Sequence, residues 1–476
     1  MNRFFRREGY RAEFPRKAYA RIDDIEPIVR SPEEELTFVL DAVDAEWSGF
    51  SENGLFNLNA PDLEQRIAAF WSGRFERGGP DEPDDYERVP IYRIEFSLAP
   101  GHEFFELIRQ DEERWLLLEL SSVESATPID VYGGLFAEPA RTYLRTASTA
   151  EPSNQLSKLF DMTTWPDASH GDLLVALQPR CNLEALVCFD IGQGSASALV
   201  CRCGMPIYYF DTGRGTGRNA RTAPASIDFC TCSSPTVILS HWDTDHWAGA
   251  AGHAGLLACK WIVPRQKIST THTVFANDIL KAGGKIFVVS DNAPPLVWSS
   301  YRQDYDLRRA TGSGRNGSGL VLIVTDHASG RLWVLTGDAG YNLIAQHVRA
   351  NADIAAMVVP HHGADMGANS IPFLRSSNQY ARLFYSFGPG NGHGPRTPPV
   401  RHPVAAAVTA HQHSGWCHGT WVPTTAGQSI AGSDVLATAT HLLTHLQAGA
   451  AGWIGPPPAS LGHLTRCPDA MPVPQR

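Results

Sequence analysis

The sequence of 476 residues lacks any apolar run long enough to cross a membrane. A membrane-spanning helix needs about 20 mainly apolar residues, and the longest candidate here, 404–410, is short and rich in alanine. The first residues carry charge with no apolar stretch behind them, so the pattern of a secretory signal is also missing. We therefore expect a cytoplasmic protein without a membrane partner.

Charged residues make up only 19% of the chain, against 43% hydrophobic and 10% aromatic residues. This composition excludes wholesale disorder and supplies apolar surface for sizeable cores. The length favours two or three domains. Charge is uneven along the chain, because residues 1–175 hold 34 acidic and 18 basic side chains, whereas residues 176–476 hold 16 and 22. A basic second part suits an anionic substrate, since positive potential concentrates phosphates.

Nine cysteines are few for so long a chain, and their number is odd. A large core needs no covalent cross-links, so we expect reduced thiols. Cys201-Arg-Cys203 and Cys230-Thr-Cys232 form two Cys-X-Cys pairs, which can hold a structural zinc if the two segments meet. Structural zinc sites more often use Cys-X2-Cys, so ordinary thiols are the favoured interpretation.

A polar stretch at 153–171 marks the predicted domain boundary. Residues 1–175 are predicted to form a small, acidic α+β domain, and recruitment of a protein partner is one hypothesis for its role. Its predicted helices are 33–45, 62–71 and 103–111, and its predicted strands are 89–98 and 114–120. Residues 176–455 are the second predicted domain, and residues 456–476 a proline-rich tail.

The second predicted domain alternates short apolar segments with helical stretches, which favours a layered α/β architecture. The predicted strands are 186–190, 195–201, 207–210, 236–239, 261–263, 285–289, 319–324, 332–335, 357–359 and 383–386. The predicted helices are 247–257, 274–282, 341–350 and 402–411.

One predicted strand in this domain runs directly into four potential metal ligands. The segment is Thr-Val-Ile-Leu-Ser-His-Trp-Asp-Thr-Asp-His, and it supplies His241, Asp243, Asp245 and His246. Placing two carboxylates and two imidazoles within six residues is costly without a compensating charge, which a divalent cation provides. The sequence therefore predicts a metal site here, with a solvated polar turn as the alternative.

Three later segments repeat the arrangement of a strand that ends in a ligand. Gly337-Asp338 follows an apolar strand and offers a bridging carboxylate. Val-Val-Pro-His-His-Gly delivers His361 and His362, which point apart as neighbours, so one is expected to ligate metal and the other to bind substrate or a carboxylate. A Gly/Pro-rich loop then leads to His402, for which His393 is the rival candidate.

These motifs, in this order, resemble the metallo-β-lactamase superfamily. They are, in sequence, Asp190-Ile-Gly-Gln-Gly-Ser, Phe210-Asp-Thr-Gly213, His241-Trp-Asp-Thr-Asp-His246, Thr336-Gly-Asp338, Val359-Pro-His-His-Gly363 and His402-Pro403. Within the superfamily they are most similar to the hydrolase domain of ComEC-type DNA-uptake proteins. The match covers about residues 186–430, roughly half the chain.

The resemblance implies an αββα sandwich with two divalent ions, Zn²⁺ or Mn²⁺, at the edge between its sheets. It implies a hydrolase, with phosphodiester bonds of DNA or RNA as the favoured substrate. The implied metal ligands are His241, Asp243, Asp245, His246, Asp338, His361 and His402, and the implied catalytic residues are Asp245, His362 and His402. Two ions lower the pKa of a shared water, which supplies the nucleophile.

The chain departs from the ComEC-type pattern in three ways. It has no membrane spans, so DNA transport is not implied. Val400-Arg-His-Pro403 stands in place of Gly-His-Pro. The histidine that many superfamily members place before the bridging aspartate is not recognisable, and the corresponding stretch begins at Arg315. His253, His272 and His327 are expected to be ordinary polar residues.

Other side chains near the motifs are candidates for substrate contacts. Arg315, Arg396 and Arg401 can grip phosphates, with solvation as the alternative. Trp242 and Trp247 can stack on bases, with core packing as the alternative. Two competing functions are a hydrolase of a lactone, thioester or cyclic nucleotide, and a non-catalytic scaffold that binds a partner.

Overall fold

The structure is a computed structural model. It describes residues 1–6, 14–27, 35–52, 54–77, 85–109, 114–124, 127–201, 204–224, 227, 229–344, 348, 353–367, 370–373, 381–391, 404–416, 420–424, 427–431, 435–438 and 446–450. His393, Arg396, Arg401, His402 and the predicted tail 456–476 lie outside the described residues.

The helices are short and the strands numerous. The α-helices are α1 (Leu63–Arg77), α2 (Asp85–Arg88), α3 (Phe105–Arg109), α4 (Ser153–Phe160), α5 (His170–Leu177), α6 (Ala254–Leu257), α7 (Thr270–Lys281), α8 (Gly314–Gly317) and α9 (Val404–His413). Single 3₁₀ turns that bear on the site are Thr244–His246, Ala248–Ala250, Tyr341–Leu343 and Pro360–Gly363.

The strands β1–β11 are Lys17–Pro27, Leu36–Asp44, Ile91–Leu98, Leu116–Ser121, Thr127–Tyr132, Ala140–Thr149, Leu183–Phe189, Ala196–Cys201, Pro206–Thr212, Thr236–Ile238 and Lys260–Pro264. The strands β12–β22 are Lys285–Val289, Leu296–Ser299, Gln303–Arg309, Leu320–Asp326, Leu332–Leu335, Ile354–Val358, Arg382–Tyr385, Thr420–Thr424, Gly427–Ala431, Val435–Ala437 and Leu446–Ala450. The expectation of a mixed α/β protein with several sheets is confirmed.

The chain divides into two compact units. The first comprises Met1–Pro166 together with Lys267–Lys285, and the second comprises Asp167–Gln266 together with Ile286–Arg476. The division at Pro166 falls within the polar stretch that the sequence marks as a boundary, slightly before the predicted residue 175. The sequence did not indicate that the segment containing α7 belongs with the N-terminal residues.

The first unit is built on a closed barrel with strand order β1-β2-β3-β5-β6-β4. Alternate residues such as Ala20, Leu40 and Ile94 fill its interior. The predicted helix at 33–45 is wrong, because strand β2 occupies this segment. Its seven central residues are all buried, since α7 covers the outer face of the barrel here. Burial on both faces removes the alternation that identifies a strand.

The second unit contains two seven-stranded sheets. Their strand orders are β12-β11-β10-β9-β8-β7-β22 and β13-β14-β15-β16-β17-β18-β21. Apolar side chains of both sheets share one core, including Leu199, Phe210 and Ile238 from the first and Val324 and Trp333 from the second. The sheets therefore pack face to face.

Parallel pairing places the carboxyl ends of the central strands together. Strand β10 pairs in parallel with β9 and β11, and β17 pairs in parallel with β16 and β18. The segments that follow β10, β16 and β17 carry predicted ligands. The prediction of one continuous helix over 247–257 is wrong. A 3₁₀ turn and the short helix α6 occupy this segment. Within the described part of the chain, we find no helix with the length and hydropathy that a membrane crossing requires.

Candidate metal centre

Two imidazoles and two carboxylates follow strand β10 within six residues. The 3₁₀ turn Thr244–His246 folds this segment back, so His241 and His246 face one another with ring centroids 3.9 Å apart. Both imidazoles are fully buried, whereas the side chains of Asp243 and Asp245 are 16% and 25% exposed. Solvent therefore reaches the cluster on the side of its carboxylates, whereas its imidazoles are enclosed.

The carboxylate of Asp211, at the end of β9, holds this segment in place. Its Oδ1 accepts a hydrogen bond from the backbone N–H of Ser240 at 2.7 Å, and its Oδ2 accepts one from the Ser240 hydroxyl at 2.8 Å. The same Oδ2 lies 2.8 Å from Nδ1 of His246. Asp211 has a φ of 59°, an unusual value for a residue with a Cβ. This carboxylate therefore fixes the orientation of the His246 ring.

Asp338 reaches the centre from the turn after β16. Gly337 has a φ of 55°, and a Cβ at this position would lie 2.6 Å from Cβ of Ser240. Only glycine permits both the turn and this close approach. Thr336 donates from its hydroxyl to the carbonyl of Val358 at 2.9 Å, which joins the turn to β17.

His361 and His362 follow β17 in a turn with left-handed backbone at both residues. Their φ values are 47° and 56°, which is rare for non-glycine residues and is often found at functional sites. The turn brings Nε2 of both histidines within 3.8 Å of the same oxygen of Asp338, so the expectation that the two side chains point apart is not met. The side chain of His362 is 2% exposed and its Nδ1 lies 2.9 Å from Oγ of Ser386, whereas the His361 side chain is 35% exposed.

Asp338 lies at the centre of four imidazole Nε2 atoms. The distances from its carboxylate oxygens are 3.2 Å to His246, 3.7 Å to His241, 3.7 Å to His361 and 3.8 Å to His362. The Asp245 carboxylate adds contacts of 3.1 Å to His362 and 3.8 Å to His246. Two overlapping groups of donors result, namely His241, His246 and Asp338, and Asp245, His246 and His362, each with its atoms within 4.8 Å of one another.

Asp243 has a different set of neighbours. Its Oδ2 lies 3.2 Å from Nε2 of His241, and its Oδ1 lies 3.0 Å from Nε of Arg315. Burial raises the pKa of Asp243, but the Arg315 guanidinium and His241 outweigh it and bring this pKa to about 2. Asp243 therefore carries a full negative charge beside a permanent positive one.

The donor set fits a divalent metal ion. Each buried imidazole has a polar neighbour at its far nitrogen, because Nδ1 of His241, His246 and His362 lie near Ser240, Asp211 and Ser386. Among the described groups, Nε2 of His246 and Nε2 of His362 are buried and have no hydrogen-bond partner. Imidazoles oriented through one nitrogen and open at the other are typical of metal ligands.

The charges of the centre are strongly coupled. Burial raises the pKa values of Asp245 and Asp338, but the surrounding imidazoles outweigh it and hold both well below the ordinary range. Burial lowers the pKa of His246, yet Asp338 and Asp211 raise it well above its usual value. Burial dominates at His361 and lowers its pKa. The carboxylates are thus held in the charged form that binds cations.

The structure brings seven of the predicted residues together: His241, Asp243, Asp245, His246, Asp338, His361 and His362. The eighth, His402, and its rival His393 lie outside the described residues. His362 is buried beside Asp245, whereas His361 is more exposed; the sequence left open which of the two binds metal. Trp242 and Trp247 are fully buried, so base stacking is excluded for both in this conformation.

Sequence reasoning missed the residues that orient the ligands. Asp211 lies in a motif that the sequence analysis recognised, but no role was assigned to it. Ser386 gave no signal, because a serine after a strand is common. For Arg315 the sequence left phosphate binding and solvation open, and its ion pair with Asp243 was not foreseen.

A further group of potential ligands lies in the first unit. Asp23, Asp41 and His272 are buried and offer donor atoms within 4.8 Å of one another. Backbone N–H of Ser269 donates to Nδ1 of His272 at 3.2 Å, and the Ser269 hydroxyl donates to Asp41. The expectation that His272 is an ordinary polar residue did not foresee these acidic neighbours. His253 caps α6, and His327 pairs with Asp304 at the surface.

The cysteines do not support a structural zinc held by the two Cys-X-Cys pairs. Cys201 is disulfide-bonded, so the expectation that every thiol is reduced is wrong at this residue. Its Sγ is therefore not a thiolate that can bind zinc. Cys203 lies outside the described residues, and Sγ of Cys230 lies 2.8 Å from Sγ of Cys232.

Comparisons with known proteins gave one structural likeness to report. No protein-family model matches the chain, and no curated protein sequence matches it. Among solved structures, the chain is similar to the short form of human tRNase Z (ELAC1), with a TM-score of 0.24 and 14% sequence identity. The alignment covers 36% of this chain and 76% of that one. The case for the centre rests on its own residues.

Proposed function

We propose that the second unit is a metallo-β-lactamase-type sandwich that hydrolyses phosphodiester bonds in DNA or RNA with the help of divalent metal ions. The observation that carries the proposal is the convergence of imidazole Nε2 atoms and carboxylates around Asp338. Such a buried set has no structural explanation, because its open nitrogens and concentrated charge are costly without a cation.

The residues that would hold metal are His241, Asp245, His246, Asp338 and His362. Bound divalent ions act as Lewis acids, lower the pKa of water and neutralise charge that develops on a phosphoryl group. Mixed carboxylate and imidazole donors suit both zinc and manganese. Asp211, Ser240 and Ser386 keep the imidazoles in the orientation that such ligands require.

The side chains around these ligands suit an anionic substrate. Arg315 places a permanent positive charge beside the exposed edge of the cluster at Asp243, and positive charge there favours a phosphate. His361 is exposed enough to contact a substrate and close enough to Asp338, at 3.7 Å, to exchange protons near the reacting bond. The excess of basic residues after position 175 favours a polyanion over a small neutral ester.

The test is a substrate panel of single-stranded and double-stranded DNA, RNA, cyclic nucleotides, lactones and thioesters. We expect cleavage of DNA or RNA with Mn²⁺ or Zn²⁺, and loss of cleavage with chelator. Asp245→Ala should abolish turnover without unfolding the protein, and His327→Gln serves as a control because it changes a surface histidine of the same unit. Turnover restricted to small esters would assign the alternative hydrolase function, and no turnover on any substrate would leave a scaffold role.

A further inference from the structure

The two donor groups at the centre differ in how many metal-binding side chains each has to itself. Asp245, His246 and His362 form one of them, with Asp338 beside it. Both of its imidazoles are oriented through Nδ1, at 2.8 Å from the buried Asp211 and 2.9 Å from the partly buried Ser386. This position has a full set of ordered donors.

The other position has few donors of its own. Its group of His241, His246 and Asp338 shares His246 with the first group, and Asp338 lies beside both. Asp243 is the remaining nearby carboxylate, and it faces Arg315 with 3.0 Å between Nε and Oδ1. A cation placed between His241 and Asp243 would have to share that carboxylate with a permanent positive charge.

Arg315 is held in this place by its backbone. The side-chain amide of Gln266 donates to the carbonyl of Arg315 at 2.7 Å and contacts Oγ of Ser318 at 2.9 Å. The same Gln266 accepts from the backbone N–H of Trp242, next to His241, at 3.3 Å. Gln266 therefore ties the backbone of α8 to the ligand segment, and the guanidinium itself is placed by its 3.0 Å contact with Asp243 in a side chain that is only 14% exposed.

We propose that this centre binds one divalent ion tightly, at Asp245, His246, His362 and Asp338, and that Arg315 takes the place of a second tightly bound ion by neutralising Asp243. The proposal rests on the metal-dependent function above. The guanidinium of Arg315 neutralises the carboxylate of Asp243 permanently. One divalent ion therefore neutralises the two carboxylates at its own position, Asp245 and Asp338. A second ion binds only weakly, in competition with Arg315.

The experiment is a titration of the full-length protein with Mn²⁺, followed by calorimetry and by metal analysis after gel filtration. We expect one retained ion per chain, and a second that binds about 100-fold more weakly or worse. In Arg315→Gln the second ion should bind at least about tenfold more tightly, because the competing charge is gone. Arg308→Gln is the matched control, since this arginine pairs with Asp306 away from the centre.

A second variant keeps the proposal open to refutation if Arg315→Gln does not fold. Asp243→Asn should retain the tight ion, because Asp243 does not belong to that donor group, whereas Asp245→Asn should lose it. Two ions of comparable affinity in the unaltered protein, an unchanged second affinity in folded Arg315→Gln, or loss of the tight ion in Asp243→Asn would each overturn the proposal. Failure of the proposed function gives a different result. Metal analysis then finds no tightly bound ion, or the protein binds an ion but hydrolyses no substrate of the panel.

Discussion

The described part of the chain contains two buried clusters of aspartate and histidine, one in each unit, and their side chains have different neighbours. In the first unit, Asp41 lies opposite Arg21 on β1 and Arg93 on β3. Arg93 lies 3.4 Å from Asp23 and donates to Glu95 at 2.7 Å. The imidazole of His272, in the first turn of α7, accepts from the backbone N–H of Ser269, the residue that precedes the helix. The polar groups of this cluster thus contact one another, and helix α7 closes over the barrel.

In the centre around Asp338, by contrast, not every buried polar atom is hydrogen-bonded. Its imidazoles are oriented through Nδ1, and Nε2 of His246 and of His362 make no hydrogen bond among the described groups, although carboxylate oxygens lie 3.2 and 3.1 Å away. The pKa of Asp338 is lowered by four imidazoles, whereas burial and repulsion from Asp23 raise the pKa of Asp41 to about 7. In our proposal, the same residue types therefore form a structural cluster in the first unit and a metal-binding arrangement in the second. Residue identity alone does not distinguish these outcomes.

The largest expected effect is a loss of metal binding and hydrolysis when the carboxylate of the second-unit cluster is changed, with no such loss in the first-unit cluster. Asp338→Asn should abolish tight metal binding and lower hydrolysis by about 10³-fold or more, because the central carboxylate contacts both donor groups. The matched variant Asp41→Asn should change neither quantity. Metal analysis and initial rates on the preferred nucleic acid measure both. Equal losses in the two variants would mean that the comparison is wrong.

Metal should also stabilise the protein through only one cluster. An ion that binds the folded state contributes about 4 kcal/mol to the free energy of unfolding at about 1,000 times its Kd. Thermal unfolding of the unaltered protein and of Asp41→Asn should therefore shift upward with added Mn²⁺. Asp338→Asn should show no shift. A metal-dependent shift that disappears in Asp41→Asn instead would place an ion in the first unit.

Local sequence was enough to find the centre, because four of its ligands lie within six residues after one buried strand. The strand-end positions of Asp338, His361 and His362 were predictable for the same reason. The orientation of these ligands was not, since Asp211 and Ser386 act across 35 and 24 residues of chain. Single-sequence patterns carry no information on such pairings.

The fold shows a similar limit. Strands β7 to β12 were predicted from short apolar runs, but β2 was predicted as a helix because both of its faces are buried. The assignment of α7 to the first unit was not predictable either. Its contacts with β2 and β3 join parts of the chain that lie more than 170 residues apart.

The pH dependence of stability should distinguish the first cluster. Folded Asp41 keeps its proton up to about pH 7, whereas in the unfolded chain it loses the proton near its ordinary pKa of 3.8. Between these values the unfolded state binds fewer protons, so the free energy of unfolding falls as pH rises. Asp41→Asn stays neutral throughout. We expect a flatter profile in this variant, and a higher unfolding midpoint than the unaltered protein at pH 8.

Denaturant unfolding at pH 5 and pH 8 measures this effect, which we expect to reach about 1–3 kcal/mol. Asp130→Asn is a suitable control, because this carboxylate lies at the surface in a pair with Arg141. An Asp41→Asn variant that is less stable than the unaltered protein at pH 8 would contradict the prediction. It would mean that the fold stabilises the charged form of Asp41, which would make this cluster resemble the metal centre.

The smallest expected effect tests whether the Nδ1 contacts of the centre orient its ligands. Ser386→Ala removes the hydroxyl that lies 2.9 Å from Nδ1 of His362 and leaves every donor in place. Loss of such an orienting group typically weakens metal affinity about 10- to 100-fold. We expect the lower end, because the backbone turn at His362 also constrains the ring. Calorimetric titration of this variant, with Ser299→Ala as a surface control, gives the answer. An unchanged affinity would mean that the turn alone sets the geometry of His362.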